Sequence, residues 1–195
     1  VQELQNLGIA RLMLFGDQER VQREADALHL DLGDYVVVSC DDSVSACHEA
    51  ARAAMEGAVH VVMKGSVTTA DFLKALMNKQ YGLMPAGGLL SHVAVLKLPW
   101  YHKRVILSDA AVSIQPDIDK KVNIVLNTLS VAHNLEIEVP KVALIGPIET
   151  VNPRIVSTTD ASQLVFLHRN TNIFGEAVVE GPFGLDVALS TQAAQ

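Results

Sequence analysis

The stretch VVMKGSVTTADFLKALM, residues 61–77, opens as an apolar run and closes as an amphipathic helix, with a lysine, a glycine and three hydroxyl residues between. The apolar residues from Val59 predict a strand through Gly65, and the spacing after Thr69 predicts a helix through about Lys79. A strand feeding a helix across a short polar turn is the repeating unit of a parallel sheet. The turn itself has two readings. In one, Thr68 or Thr69 is a plain N-cap and Lys64 points into solvent. In the other, Gly65 admits an anion close to the backbone, the helix N-terminus offers its N–H groups, and Lys64 adds a point charge. Local spacing leaves both open.

Working outward, the same rhythm precedes the turn. Residues 1–7 read as a helix stopped by Gly8, 9–16 as a strand, and 17–30 as a helix that Asp17 caps. Residues 34–40 read as a strand and 42–57 as a helix capped by Asp42 or Ser43. Near-continuous apolar strands alternating with helices predict an α/β fold with a mostly parallel sheet and helices on both faces.

After residue 80 the rhythm breaks. YGLMPAGGLLSH (81–92) reads as a loop, and two strands at 92–98 and 104–110 lie too close together for a crossover helix. An antiparallel pair is expected there. Residues 116–135 then read as a long helix with Pro116 near its first turn, and 141–146 as a strand. Thr158, Thr159 and Asp160 are expected to open a helix through about Arg169, followed by a strand at 175–181 and a final helix at 185–195. The expected division is a first α/β portion at 1–80 and a second at 81–195 that carries the antiparallel strands.

The chain has 195 residues, 49% hydrophobic and 19% charged, which is a globular composition with enough length for one large or two small cores. A net charge of -7 argues against a general nucleic-acid binder. No apolar run approaches the ~20 residues of a membrane span, and no signal or transit segment stands out. The two cysteines, Cys40 and Cys47, have no metal or redox spacing, so a reducing cytoplasm is the expected compartment.

Familiar chemical motifs are missing. No GxGxxG follows a strand, MKGS reverses the lysine–glycine order of a P-loop, and HEAAR at 48–52 has Arg52 where a zinc helix needs its second histidine. The seven histidines form no ligand spacing, so no metal site is expected. Polar residues do collect where α/β proteins bind ligands, at the carboxyl ends of expected strands. Glu149 and Asn152 follow one strand; Glu180, Gly181 and Asp186 follow another. Each also reads as an ordinary loop or cap residue, and His92 before its apolar strand reads as a rim histidine.

With these stretches quoted, the chain resembles the phosphate acetyl/butyryltransferase family, on its butyryltransferase side. MKGSVTTADFLKALM, GGLLSHVAVLKLP, VILSDAAVSIQPDIDKKVNIVLN, PKVALIGPIETVNPRIVSTTDASQL and VVEGPFGLDVALS occur in the family's order and approximate spacing, over residues 8–190. The resemblance implies an α/β/α fold of the isocitrate/isopropylmalate dehydrogenase-like kind, with a smaller antiparallel insertion. It implies transfer of a short acyl group between coenzyme A and phosphate, with coenzyme A as substrate and no bound cofactor. It also implies a homo-oligomer, a dimer or larger, without nucleic-acid or membrane partners.

Lys64, Gly65, Ser66, Thr68 and Thr69 match the family's anion turn, Ser91 and His92 its LLSHVAV segment, and Gly181 and Asp186 its last cleft-lining loop. Two departures accompany the match. Gly88 stands where butyryl-type relatives carry an arginine, and the family's first strand and C-terminal segment, with its serine, arginine and aspartate, have no counterpart in the 195 residues. The expectation is a fragment, with no catalytic residue assigned. Two alternatives stay in view: a degenerate, non-catalytic acyltransferase-like binding domain, and an NAD- and metal-dependent enzyme of the same broad fold.

Overall fold

The computed structural model describes residues 2–33 and 35–190, excluding the side chain of Gln2. Expectations for Val1, Asp34 and the end of the final helix, 191–195, lie outside the described residues. The chain is α/β and forms two compact units, divided between Gly87 and Gly88.

The first unit contains α1 (Gln2–Asn6), β1 (Met13–Gly16), α2 (Gln18–Ala27), β2 (Val36–Ser39), α3 (Ser43–Met55) and α4 (Thr69–Leu76). β1 and β2 pair in parallel, from Met13 opposite Val36 to Gly16 opposite Ser39, with α2 as the crossover. Asp17 caps α2 by accepting from Arg20 N–H at 2.9 Å. Of the two caps expected for α3, Asp42 is the one used. Its carboxylate accepts from Ser45 N–H at 2.7 Å while Ser45 Oγ accepts from Asp42 N–H at 3.1 Å, a reciprocal capping box.

The core of this unit is built on small residues. Cys47, Ala51 and Ala75 are buried between α3 and α4, with Val67, Phe72, Leu76 and Tyr81 packed around them. Ala51 and Ala75 let the two helices approach closely, and both are almost wholly shielded from water. His48 Nδ1 and the Tyr81 hydroxyl meet at 2.9 Å, tying α3 to the chain leaving α4.

The strand expected at 59–65 is absent: the segment carries no ladder pairing. Val61 and Met63 are 82% and 65% exposed. An apolar run becomes a strand only when another strand supplies its hydrogen bonds, and no described strand pairs with this one.

The second unit contains β3 (Val93–Lys97), β4 (Arg104–Ser108), α5 (Ile118–Asn134), β5 (Lys141–Ile145), α6 (Val156–Thr171), β6 (Val178–Phe183) and α7 (Leu185–Leu189). β3 and β4 form the expected antiparallel pair, Val93 opposite Ser108 and Lys97 opposite Arg104. β5 and β6 are parallel, with a register shift between Ala143 and Ile145. Val125 and Leu129 of α5, Leu164 and Val165 of α6, and Phe174, Ala177 and Val179 form the core. Val142 and Leu144 of β5 pack on it from the sheet.

Here α6 begins at Val156, two residues before its expected start, and its N-cap Ile155 makes no side-chain cap bond. Thr158 therefore lies inside the first turn and is fully buried. Its hydroxyl oxygen accepts from Asn152 N–H at 2.9 Å and lies 2.8 Å from the Ile155 carbonyl, to which it donates. Asp160, expected at the opening of the helix, lies past its first turn and pairs with Lys121 to bind α6 to α5. Among the described residues, the β-strands thus occur as three two-stranded sheets, two parallel and one antiparallel. No described helix is long and apolar enough to cross a membrane.

Candidate functional site

In the first unit, the turn ahead of α4 draws on both readings. Thr68 is the N-cap: its Oγ1 accepts from Asp71 N–H at 3.1 Å and donates to Asp71 Oδ2 at 2.7 Å. Lys64 does not extend into solvent but folds over the turn, donating to the Val67 carbonyl at 3.1 Å and the Gly65 carbonyl at 3.3 Å. Val67 is anchored in the small core, so the turn is fixed on its inner side. On the outer side, Ser66 and Thr69 are exposed, and a Cβ added to Gly65 would meet nothing within 4 Å. The surface is an open one: an ammonium, two hydroxyls and the first-turn N–H groups of a helix.

A separate cleft of about 790 Å³ opens in this unit at the carboxyl ends of β1 and β2, lined by Asp17, Gln18, Glu19, Gln22, Ser39, Cys40 and Asp41. Its three carboxylates oppose anion binding, and it contains none of the expected site residues.

In the second unit, Glu149 and Asp186 lie past the carboxyl ends of β5 and β6, whereas Glu180 and Gly181, expected after the strand, fall inside β6, which runs on to Phe183. A methyl group on Gly184 would stand 2.6 Å from Asp186 Oδ1 and 3.0 Å from Glu149 Oε1, so both carboxylates converge on one point and only glycine leaves it clear. Gly181 has φ of +150° and no room for a Cβ, which would lie 2.6 Å from the Leu144 carbonyl oxygen. Gly181 thus lets β6 pass tightly against β5. Asn152 is committed to its own loop, with Oδ1 accepting from Arg154 N–H at 2.9 Å. Two exposed carboxylates side by side do not hold phosphate. They suit a partner that donates, an N–H, an O–H or a departing proton.

The Ser91–His92 segment is held by neighbours that sequence reading did not single out. Asn127, in the middle of α5, donates from Nδ2 to the Leu89 carbonyl at 2.8 Å and to Ser91 Oγ at 2.9 Å. Ser108 Oγ donates to the His92 carbonyl at 2.8 Å. Asp109 sits at the hub of the next loop, accepting from the N–H groups of Ala111, Val112 and Ser113 at 3.0–3.1 Å. Burial alone would push the Asp109 carboxyl up; hydrogen bonds from Ala111, Val112, Ser113 and His92 outweigh it and hold the group below the ordinary carboxylate value. The His92 ring is exposed. A mid-helix asparagine offers no periodic signal; its donors matter only because folding brings Leu89 and Ser91 to it.

Among the described residues, no group of three or more His, Cys, Asp or Glu side chains is placed to hold a metal ion.

Similarity to known proteins extends across the chain. Phosphate butyryltransferase of Clostridium beijerinckii is 38% identical over 194 residues, which is 100% of this chain and 64% of that protein. Phosphate acetyltransferase of Thermotoga maritima is 32% identical over 183 residues, covering 94% of this chain and 61% of that one. The crystal structure of a branched-chain phosphotransacylase from Enterococcus faecalis superposes with a TM-score of 0.76 at 28% identity, over 94% of this chain and 72% of its own. The chain thus spans under two thirds of the length of these two sequence relatives. Residues 40–195 match the family described as phosphate acetyl/butaryl transferase, and with full-length identity to its curated members the chain belongs to that family.

Proposed function

We propose that the protein of which these residues form the described part transfers a short-chain acyl group between coenzyme A and inorganic phosphate: butyryl-CoA + phosphate ⇌ butyryl phosphate + CoA. The observation that carries this reading is the 38% identity to a phosphate butyryltransferase along the whole chain. In this reading a phosphate oxygen attacks the thioester carbonyl directly, and the CoA thiolate leaves; the reverse reaction exchanges the two roles. No acyl-enzyme is required, so the protein's work is to position two anionic partners and stabilise the tetrahedral oxyanion.

The residues divide by chemistry. Lys64, Gly65, Ser66 and Thr69 offer donors to a phosphate of either substrate, with Lys64 exchanging the Gly65 and Val67 carbonyls for the anion. Thr68 keeps the helix end in place. Ser91 and His92 present a hydroxyl and an imidazole, whereas Glu149 and Asp186 around Gly184 face the donor groups of the coenzyme. Asn152 shapes the loop carrying Glu149. Coenzyme A is a substrate here and not a resident cofactor. We extend the proposal to the isocitrate/isopropylmalate dehydrogenase-like α/β/α arrangement and to a cytoplasmic homo-oligomer, a dimer or larger, which light scattering on the purified protein checks.

The test is release of free CoA thiol from butyryl-CoA on addition of phosphate. It is run on this chain and on a protein of the relatives' full length that contains it. Phosphate-dependent release by the longer protein is expected. No release by either, with folding verified by circular dichroism, overturns the acyltransferase reading.

A further inference from the structure

We propose that Asn127 is a positioning residue that sets Ser91 as a hydrogen-bond donor toward a substrate oxygen, a role that rests on the acyltransferase reading above. The Leu89 carbonyl can only accept, so the Asn127 group facing it at 2.8 Å is the amide nitrogen. The same nitrogen has a second hydrogen, and Ser91 Oγ lies 2.9 Å away to receive it. With an incoming bond on its oxygen, Ser91 turns its own O–H away from α5. Among the described residues no acceptor takes that hydrogen.

The backbone on the far side of Ser91 is also fixed. Ser108 Oγ donates to the His92 carbonyl at 2.8 Å. The segment is therefore clamped at the Leu89 carbonyl, at Ser91 Oγ and at the His92 carbonyl. Among the described residues, neither the Ser91 hydroxyl hydrogen nor the His92 ring has a hydrogen-bond partner. A donor held in one direction selects an acceptor: the thioester carbonyl oxygen or a phosphate oxygen, and not an amine or a hydroxyl hydrogen. Asn127 touches neither substrate; it acts through Ser91.

Coupling between the two residues decides the matter. Butyryl-CoA affinity is measured by titration calorimetry, and kcat and KM by phosphate-dependent thiol release. Both are applied to a protein of the relatives' full length that contains this chain, as wild type, Asn127→Ala, Asn127→Asp, Ser91→Ala and the Asn127→Ala/Ser91→Ala double variant. Asn127→Asp keeps the shape but removes both donors. Each single variant is expected to weaken butyryl-CoA binding about tenfold, the loss of one well-aimed hydrogen bond. The double variant is expected to bind within about twofold of Ser91→Ala alone, because Asn127 has nothing left to orient.

Losses that multiply in the double variant, or an Asn127→Asp chain that binds as wild type does, overturn the inference. Unfolding of both Asn127 variants overturns it too, since the amide then holds the fold and does not aim a hydroxyl. A folded wild-type protein of that full length that fails to bind butyryl-CoA is a different failure, which removes Ser91 as a substrate contact and the acyltransferase reading with it.

Discussion

At the scale of single residues, two glycines three positions apart answer different demands. Gly181 combines a positive φ with a backbone oxygen 2.6 Å from where a Cβ would stand. Gly181→Ala is therefore expected to cost about 2–4 kcal/mol, strain and overlap together, in a denaturant titration. Gly184 meets only the ends of two flexible carboxylate side chains, and its φ of -64° suits any residue. Gly184→Ala is expected to change stability by less than about 1 kcal/mol while altering butyryl-CoA affinity, because the carboxylates must swing aside. Equal losses of stability in both variants would refute this distinction. Sequence reading singled out Glu149 and Asp186 through their place after expected strands, and Gly181 with them, although Gly181 lies inside β6. It did not single out Asn127 or Ser108, and it read Thr158 only as a helix opener, because the partners of all three are brought to them only by the fold.

At the scale of elements, the turn ahead of α4 couples stability to binding in separable ways. Thr68→Ala removes the cap bond to Asp71 N–H and is expected to destabilise by about 1 kcal/mol. Lys64→Ala removes only exposed contacts and should leave the melting temperature nearly unchanged while weakening binding of CoA or phosphate. Binding unchanged in a Lys64→Ala/Thr68→Ala chain would return the turn to a purely structural role. The loop after β4 responds to pH through Asp109. Its folded carboxyl titrates below the ordinary value, so its contribution is full above about pH 4, the unfolded value, and is lost as pH falls through the folded one. Amide exchange at residues 111–113 should accelerate as pH falls below about 4, after correction for intrinsic rates, and Asp109→Asn should flatten that acceleration. Most helices were legible because caps and apolar spacing are local. The strand expected at 59–65 was not, since its alternating valines express a preference that only a distant partner strand can satisfy. The start of α6 was misplaced for a related reason: Thr158 has the chemistry of a cap but serves as an internal bracket for Asn152.

At the scale of the whole molecule, the exposed apolar surface is informative. Val61, Met63, Trp100 and Ile114 are among the apolar side chains left in water. Unpaired extended backbone with an apolar face favours association. The chain is expected to show a concentration-dependent rise in mass in light scattering, and Val61→Lys should reduce it. A concentration-independent monomer would contradict this.

The buried cysteines bear on how any of this is measured. Burial is the main cause raising the thiol pKa of both Cys40 and Cys47, with nearby carboxylates adding to it, so neither is an eager thiolate. A dye that counts released coenzyme thiol therefore meets a quiet background from the folded protein. When the chain opens, two further equivalents appear. The same reagent thus reports turnover in one time window and loss of structure in another, an internal standard that needs no added label.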